Sequence, residues 1–93
     1  MTNKYTISRN EITQKLNRVK GRHFVYILLD NSIVIYVGRS RNLSDRLHYH
    51  KHTKDFNSIN LYEYDTYDTC CIAEKELVKH YKPMLNKLWV NYG

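Results

Sequence analysis

Two apolar segments separated by a short polar turn do most to constrain how this chain folds. The first, from His23 to Leu29, is aromatic and aliphatic, and the second, from Ile33 to Val37, consists mainly of β-branched residues. Between them, Asp30-Asn31-Ser32 has the composition of a tight turn. Two β-forming segments this close together predict a hairpin whose second strand is closed by Gly38.

A capping box marks the start of a helix before the hairpin. Ser8 is followed three residues later by Glu11, and apolar residues then recur at helical spacing until Gly21 stops the pattern. The sequence therefore predicts a basic N-terminal helix over residues 8–20.

After the hairpin, the pattern alternates between helix and strand. Leucines one turn apart predict a helix over residues 42–54, and β-forming residues predict a strand at 59–64. Asp68 or Thr69 is a suitable N-cap for a further helix. Pro83 is expected to end that helix, because proline disfavours helical geometry in the residue before it.

Composition restricts the function to one small site. The chain has 93 residues, 42% of them hydrophobic, so we expect residues 1–93 to form a single domain. No segment has the roughly 18 consecutive apolar residues that a membrane span requires, and the polar N-terminus does not resemble a signal peptide. Cys70 and Cys71 are adjacent, which is poor geometry for a disulfide. We expect a soluble cytoplasmic protein with no membrane partner.

The formal net charge of +6 favours a polyanionic partner and is concentrated in two segments. Residues 1–22 contain six basic residues against one acidic residue, and residues 39–54 contain five against one. If both segments flank one groove, they would bind nucleic acid with an affinity that falls steeply with salt. The alternative is two solvated helix faces. The residues predicted to contact nucleic acid are Arg18, Lys20, Arg22, Arg39, Arg41, Lys51 and Lys54.

Glu74 introduces a carboxylate into an apolar helical stripe. Leu77, Val78 and Tyr81 follow it by three, four and seven residues and therefore share its face. Burial of an unpaired carboxylate is strongly unfavourable, so we expect Glu74 to have a metal ion, a cationic partner or a raised pKa. The alternative interpretation is an ion pair with a structural role only.

Arg46 and His50 lie one helical turn apart, close to the apolar stripe of the predicted helix. Arginine presents a planar fork that suits phosphate oxygens, and histidine exchanges a proton near neutral pH. The alternative is an arginine paired with a carboxylate and a partly buried histidine with its hydrogen bonds satisfied. His48, His50 and His52 alternate, but their rings diverge on a helix, so we prefer polar surface residues to a zinc site.

Several of these positions form an ordered pattern along the chain. In sequence they are Phe24-Val25-Tyr26, Tyr36-Val37-Gly38, Arg46, His50, Glu74 and Asn86. The pattern resembles the GIY-YIG nuclease family over about residues 23–87. Phe24 stands where the family name has glycine, and Arg39 stands where a small residue or lysine is common. Neither difference removes a catalytic group.

The resemblance implies a fold that agrees with the order of elements read from the sequence. It is an α/β (α+β) domain with a small three-stranded antiparallel sheet flanked by helices. The predicted helix over residues 8–20 would be an addition to this core.

The resemblance also implies a metal site and its surroundings. Glu74 would bind one Mg²⁺ or Mn²⁺ ion, and Arg46 would hold the scissile phosphate. Together they would supply the electrostatic stabilisation that phosphodiester hydrolysis needs. Asn86 would help to fix the arrangement of the site.

By the same resemblance, Tyr26 and Tyr36 would line the site of the attacking water. One of them, assisted by His50, would take the water proton, which requires a lowered tyrosine pKa. His50 occupies a position that the family fills with histidine or tyrosine.

The function implied is that of a divalent-metal-dependent DNA endonuclease. With one active site it would nick as a monomer, or cut both strands through transient homodimer pairing. The alternatives are a non-catalytic DNA-binding or regulatory module on the same scaffold, and an RNA-cleaving nuclease. The small stand-alone format resembles a phage or mobile-element protein.

Overall fold

The protein, described over residues 3–16 and 23–86 of a computed structural model, consists of one antiparallel sheet with helices on both faces. The strands are β1 (Asn3–Ser8), β2 (His23–Asp30), β3 (Ile33–Ser40) and β4 (Ser58–Tyr64). The helices are α1 (Ile12–Leu16), α2 (Leu43–Thr53) and α3 (Tyr67–Tyr81), with short 3₁₀ turns at Arg9–Glu11 and Met84–Asn86.

The predicted hairpin is confirmed as β2 and β3. Asn31 and Ser32 form its turn with positive φ angles of 50° and 72°, as the tightest hairpin turns require. The side-chain amide of Asn57 donates a 3.0 Å hydrogen bond to Oδ1 of Asn31 and anchors the turn to the segment before β4. Gly38 does not close the second strand, because β3 continues to Ser40.

The sheet has four strands in the described residues, in the order β1-β4-β2-β3, so the predicted three-stranded sheet is wrong. The additional strand, β1, pairs antiparallel with β4 from Asn3 opposite Glu63 to Ser8 opposite Ser58. Among Lys4 to Ser8, Ile7 is the buried residue. An edge strand of this kind is held through its backbone hydrogen bonds, which leave little trace in the apolar pattern.

The described residues include only the first part of the predicted N-terminal helix. Its helical part begins with a 3₁₀ turn and continues as α1 to Leu16, whereas residues 17–20 of the prediction lie outside the described residues. The capping box is confirmed, because the Ser8 N–H donates a 2.9 Å hydrogen bond to Oε1 of Glu11. The prediction of a helix here was therefore correct, but its bounds of 8–20 missed the strand that ends at Ser8.

The central strand β2 is buried on both faces, and its side chains alternate between two apolar cores. One core lies between the sheet and α1 and α2; the other lies between the sheet and α3. The first core contains Ile7, Ile12, Leu16, Phe24, Tyr26, Leu28, Leu43, Leu47, Phe56, Ile59 and Leu61. The second core contains Val25, Ile27, Val37, Cys70 and Val78.

The ends of α3 combine one corrected and one confirmed prediction. Its N-cap is Thr66, whose side chain accepts a hydrogen bond from the Thr69 N–H, so the cap predicted at Asp68 or Thr69 is two or three residues too late. At the other end, Lys82 adopts a left-handed φ of 46° immediately before Pro83. The helix therefore stops where proline was expected to stop it.

Two expectations from composition concern the cysteines and the helices. Cys70 and Cys71 are both free, as their adjacency predicted. In residues 3–16 and 23–86, no helix has the length and apolar character that crossing a membrane requires.

Candidate active site

The predicted site residues converge on β3, which is one of the two edge strands of the sheet in the described residues. The helix α2 covers one face of this edge and α3 covers the other. Because side chains alternate along a strand, Tyr36 lies on the α2 side and Arg39 on the α3 side. One strand thus carries side chains to both halves of the site.

On the α2 side, three rings form one contiguous cluster. The Tyr26 hydroxyl and Nε2 of His50 share a 2.8 Å hydrogen bond, and both residues are almost fully buried. The ring centroid of Tyr36 lies 4.9 Å from that of His50 and 6.0 Å from that of Tyr26. Packing and hydrogen bonding therefore hold the two tyrosines and the histidine of the predicted site together.

The absence of a side chain at Gly38 makes this cluster possible. A Cβ atom there would lie 2.5 Å from both Cζ and Oη of Tyr26 and 2.9 Å from Cε2 of Tyr36. Both distances are too short for non-bonded contact. The glycine in Tyr36-Val37-Gly38 thus leaves room for the ring of Tyr26, which packs directly against the backbone of β3 at this point.

Burial keeps the groups of this cluster uncharged. It lowers the pKa of His50 from 6.5 to about 4, and the positive charges of Lys54 and Arg46 add to the effect. Burial also raises the pKa of Tyr26, with a further contribution from the Tyr36 hydroxyl, and it raises the pKa of Tyr36. At neutral pH the imidazole and both phenols are neutral. Nδ1 of His50 is buried without a hydrogen-bond partner in the described structure.

Arg46 and Glu74 act on the tyrosines with opposite charges. Arg46 is exposed on α2, one turn before His50. Burial and the neighbouring Tyr36 phenol have the largest effects on the pKa of Tyr26; of the nearby charges, Arg46 lowers this pKa and Glu74 raises it. The two charges have the same opposing effects on the pKa of Tyr36. The four side chains therefore share one electrostatic environment, although Arg46 and Glu74 come from helices on opposite faces of the sheet.

On the α3 side, Glu74 is buried, with 3% of its surface exposed, and is paired with Arg39. Nε of Arg39 donates a 2.9 Å hydrogen bond to Oε1 of Glu74, and Nη1 donates one of 2.9 Å to the Tyr67 hydroxyl. Burial raises the pKa of Glu74, whereas the bond from Arg39 opposes that rise. Both the cationic partner and the raised pKa expected for Glu74 are present. The predicted contact of Arg39 with nucleic acid stays a prediction.

Asn86 binds the backbone of the edge strand between the two halves of the site. The Val37 N–H donates a 2.8 Å hydrogen bond to Oδ1 of Asn86, and Nδ2 of Asn86 donates a 2.8 Å bond to the Val37 carbonyl. Asn86 is fully buried in the 3₁₀ turn that follows Pro83. It therefore holds the strand in place between Tyr36 and Gly38, while the role predicted for it in fixing the active site stays a prediction.

Arg9 supports the site in a way that the sequence did not indicate. Its Nη1 donates hydrogen bonds to the carbonyls of Lys54 (2.9 Å) and Phe56 (3.3 Å), and its Nη2 donates one to the carbonyl of Lys51. The guanidinium also lies 4.8 Å from the centre of the Phe56 ring. A cation at the carbonyl end of α2 is favourable. The only signal in the sequence was the basic character of the N-terminal segment, which does not reveal a contact this distant along the chain.

The residues predicted to bind nucleic acid are only partly brought to the site. Lys54 lies beside it, with Nζ 5.0 Å from the centre of the Tyr36 ring and 5.6 Å from that of Tyr49. Arg41 is exposed in the turn before α2, and Lys51 is half-buried near its end. The predicted contacts at Arg18, Lys20 and Arg22 fall on positions outside the described residues.

The alternating histidines diverge on α2, as expected. Nδ1 of His48 lies 2.7 Å from the carbonyl oxygen of Ser44, whereas His50 contacts Tyr26. In the part of the chain that the structure describes, no three His, Cys, Asp or Glu side chains are grouped so that they could hold a metal ion. A zinc site, which needs three or four such ligands, is therefore not formed by these residues.

Comparison with solved structures defines the class to which this architecture belongs: it is the GIY-YIG endonuclease fold. The similar structures are of the GIY-YIG N-terminal endonuclease domain of UvrC from Thermotoga maritima. The form bound to magnesium has a TM-score of 0.65 and 22% identity, covering 80% of this chain and 93% of that one. Two point mutants bound to the catalytic divalent cation have TM-scores of 0.65 and 0.66, with 22% and 20% identity.

The resemblance predicted from the sequence is thus confirmed at the level of the fold. No protein-family model matches the sequence, and no curated protein does.

Proposed function

We propose that this protein is a divalent-metal-dependent endonuclease that hydrolyses phosphodiester bonds in DNA. The proposal depends on one observation: a buried carboxylate, an exposed arginine and a neutral tyrosine-histidine cluster meet at the edge of β3. The UvrC domains with this fold hold a catalytic divalent cation, which supports the same chemistry here.

A single carboxylate suits the metal proposed. Mg²⁺ commonly keeps several waters and is held by one or two carboxylates together with substrate phosphates. Glu74 provides such a carboxylate, and Arg39 engages its Oε1. We propose Glu74 as the ligand of one Mg²⁺ or Mn²⁺ ion. A bound ion would stabilise the negative charge that develops on the phosphate.

Arg46 is proposed to hold the scissile phosphate from the opposite side. It is exposed on α2, close enough to influence the pKa of Tyr26, Tyr36 and His50. Its planar guanidinium can donate two parallel hydrogen bonds to phosphate oxygens. The substrate phosphate would therefore lie between Arg46 and Glu74, above the edge of β3.

Proton transfer from the attacking water is proposed to involve Tyr36. It is half-buried, whereas Tyr26 is fully buried and its hydroxyl is already paired with His50. Burial raises the pKa of Tyr36, which is opposite to the direction that a base requires, and the charge of Arg46 offsets part of that rise. In this scheme the hydrogen-bonded pair of Tyr26 and His50 orients the ring of Tyr36, and Asn86 holds the strand that carries Tyr36.

Conversion of supercoiled plasmid tests the proposal. The parent is incubated with Mg²⁺, Mn²⁺ or EDTA beside Glu74→Gln and a matched control, Glu76→Gln, which alters an exposed carboxylate on the same helix. We expect metal-dependent nicked product from the parent and the control, and a loss of at least about 100-fold in Glu74→Gln. Equal cleavage by both variants would show that the site is assigned wrongly.

The same plasmid assay shows whether one or both DNA strands are cut. A monomer with one site is proposed to nick, so linear product should appear late or rise steeply with protein concentration if transient pairing occurs. We also propose a cytoplasmic location, as expected from the sequence.

The Arg39–Glu74 pair favours one alternative, a non-catalytic DNA-binding or regulatory module, because an arginine already occupies Oε1 of the carboxylate. Salt-sensitive DNA binding without product in any metal would support that alternative. Cleavage of a labelled RNA in preference to the matching DNA would support the RNA-cleaving alternative.

A further inference from the structure

The aromatic cluster of the site continues to the protein surface. The ring of Tyr49 contacts His50 edge-on, with centroids 5.5 Å apart, and His50 in turn contacts Tyr26 and Tyr36. Tyr49 is 57% exposed, whereas Tyr26 and His50 are buried. A row of rings therefore starts beneath the site and ends in a solvent-facing aromatic ring beside it.

Lys54 lies across this row without an anionic partner. Its Nζ is 5.0 Å from the centre of the Tyr36 ring and 5.6 Å from that of Tyr49, and burial lowers the pKa of Lys54. Within residues 3–16 and 23–86, no carboxylate forms an ion pair with Lys54 or with Arg46. Arg39, by contrast, has the carboxylate of Glu74. In the part of the chain that the structure describes, Lys54 and Arg46 are therefore both without a carboxylate partner on the α2 side of the site.

The effect of these charges is visible at His50, which lies between them. After burial, the charges of Lys54 and Arg46 are the causes that lower its pKa. Nζ of Lys54, 5.6 Å from the centre of the Tyr49 ring, also places positive charge at the exposed end of the aromatic row. An anion is the ligand that such a charge attracts, and an aromatic ring beside it is a surface on which a nucleobase stacks.

We propose that Tyr49 and Lys54 form a subsite for an unpaired nucleotide adjacent to the scissile phosphate. The base stacks on Tyr49, and its phosphate lies between Lys54 and Arg46. This inference rests on the proposed nuclease function and names the substrate class: DNA with an unpaired nucleotide at the cleavage position, such as a flap or bulge. A base inside a regular duplex is already stacked on its neighbours and offers no free face to Tyr49.

Fluorescence titration in EDTA tests the subsite without cleavage. The probe is a DNA flap that carries 2-aminopurine as its first unpaired nucleotide, and the reference is a fully paired duplex with the same sequence. The variants are Tyr49→Ala, Tyr49→Phe and, as a matched control, Tyr81→Ala, which truncates a tyrosine that is 44% exposed on α3.

We expect the parent to bind the flap at least tenfold more tightly than the duplex and to quench the 2-aminopurine on binding. Tyr49→Ala should reduce this flap-to-duplex ratio roughly tenfold and abolish the quenching, since stacking of one base on an aromatic side chain has about this value. Tyr49→Phe and Tyr81→Ala should keep both. Equal affinities for flap and duplex in the parent, or quenching that persists in Tyr49→Ala, would overturn the proposal.

A second variant tests the phosphate contact. Lys54→Gln should reduce the slope of log affinity against log salt by roughly one, whereas Lys75→Gln, exposed on α3, should leave the slope unchanged. An unchanged slope in Lys54→Gln would exclude Lys54 from the subsite.

The subsite and the nuclease activity fail in different ways. If the nuclease proposal is wrong, neither plasmid nor flap is cut in Mg²⁺. If only the subsite is wrong, cleavage persists and the flap preference is absent.

Discussion

The two sides of the β3 edge deal with buried polar groups differently. On the α2 side, Tyr26 and His50 are neutral and share a hydrogen bond within a cluster of rings. On the α3 side, Glu74 is paired with the guanidinium of Arg39. The neutral arrangement depends on close fit, as the contact between Tyr26 and Gly38 shows. The ionic arrangement depends on charge, so we expect that another cation could take the place of Arg39.

The difference suggests that the α2 side of the site provides fixed geometry and that the α3 side provides an exchangeable charge. Neutral groups held by packing keep their geometry when the ionic surroundings change, whereas a carboxylate neutralised by a side chain can exchange that partner for a metal ion. We therefore expect perturbations of the α2 side to affect folding and those of the α3 side to affect metal binding. The following predictions test that expectation.

The largest effect is expected for Gly38→Ala, which places a methyl group where Tyr26 lies. The new Cβ would be 2.5 Å from Cζ and Oη of Tyr26, so the ring must leave its position and lose the bond to His50. We expect a loss of about 3 kcal/mol in the free energy of unfolding, measured by urea denaturation. Ile33→Ala, at an exposed position of the same strand, should cost much less. Similar losses in the two variants would mean that Tyr26 is not held by fit.

A pH series separates the two sides by sign. His50 has a folded-state pKa of about 4, below its ordinary 6.5, so the unfolded chain binds this proton more tightly and stability is lost as pH falls from 6.5 towards 4. Glu74 has a raised pKa, so its contribution has the opposite sign and stability is lost as pH rises above the ordinary 4.5. The His50 contribution amounts to at most about 3 kcal/mol.

We expect His50→Gln to flatten the rise of unfolding free energy between pH 4 and 6.5 that His50 causes. His52→Gln, at an exposed position of the same helix, is the control and should keep the parental slope. Urea denaturation at half-unit intervals of pH measures both. Identical slopes in the two variants would show that His50 titrates normally.

Asn86→Ala tests the connection between the sides. It leaves the N–H and carbonyl of Val37 without their buried partner, which should cost about 2 kcal/mol in unfolding free energy. The same variant should lower cleavage, because the strand that carries Tyr36 is no longer held. Asn60→Ala, which removes a hydrogen bond from the exposed Thr6 hydroxyl, is a suitable comparison and should be nearly neutral. Full activity in Asn86→Ala would contradict its positioning role.

The smallest effect is expected for Arg39→Gln. If Mn²⁺ has to compete with the guanidinium for Glu74, its affinity should rise several-fold when Arg39 is removed, measured by titration calorimetry at pH 8 without DNA. Arg41→Gln, an exposed arginine two residues further on, should bind Mn²⁺ like the parent. A fall in affinity for Arg39→Gln would mean that Arg39 supports the ion instead of competing with it.

The elements with strong apolar periodicity were predictable, and the weakly patterned one was not. The hairpin and the two longer helices follow from clear runs of apolar residues. In contrast, β1 is an edge strand in which Ile7 is the buried side chain among Lys4 to Ser8, and it pairs with β4 through backbone groups that are the same in every residue. The helix that follows Ser8 was therefore predictable, and the strand before it was not.

The site shows a similar limit. Glu74 was predicted to have a metal ion, a cationic partner or a raised pKa, and Arg39 was predicted to contact nucleic acid, but the pairing of the two was not foreseen. Strand alternation contained the necessary signal, because Tyr36 and Gly38 share one face of β3 and Arg39 lies on the other. The distance between Arg39 and Glu74 along the chain hides it, since only the packing of α3 on the sheet brings them together.

The two hydrogen bonds of Asn86 also affect the tendency of protein molecules to associate with one another. An edge strand presents unpaired backbone groups that can recruit a strand from another chain and so begin aggregation. At Val37 the side-chain amide of Asn86 takes the place that such a strand would occupy. One residue therefore protects the exposed border of the sheet as well as ordering the site, and its loss is expected to promote self-association of the protein at high concentration.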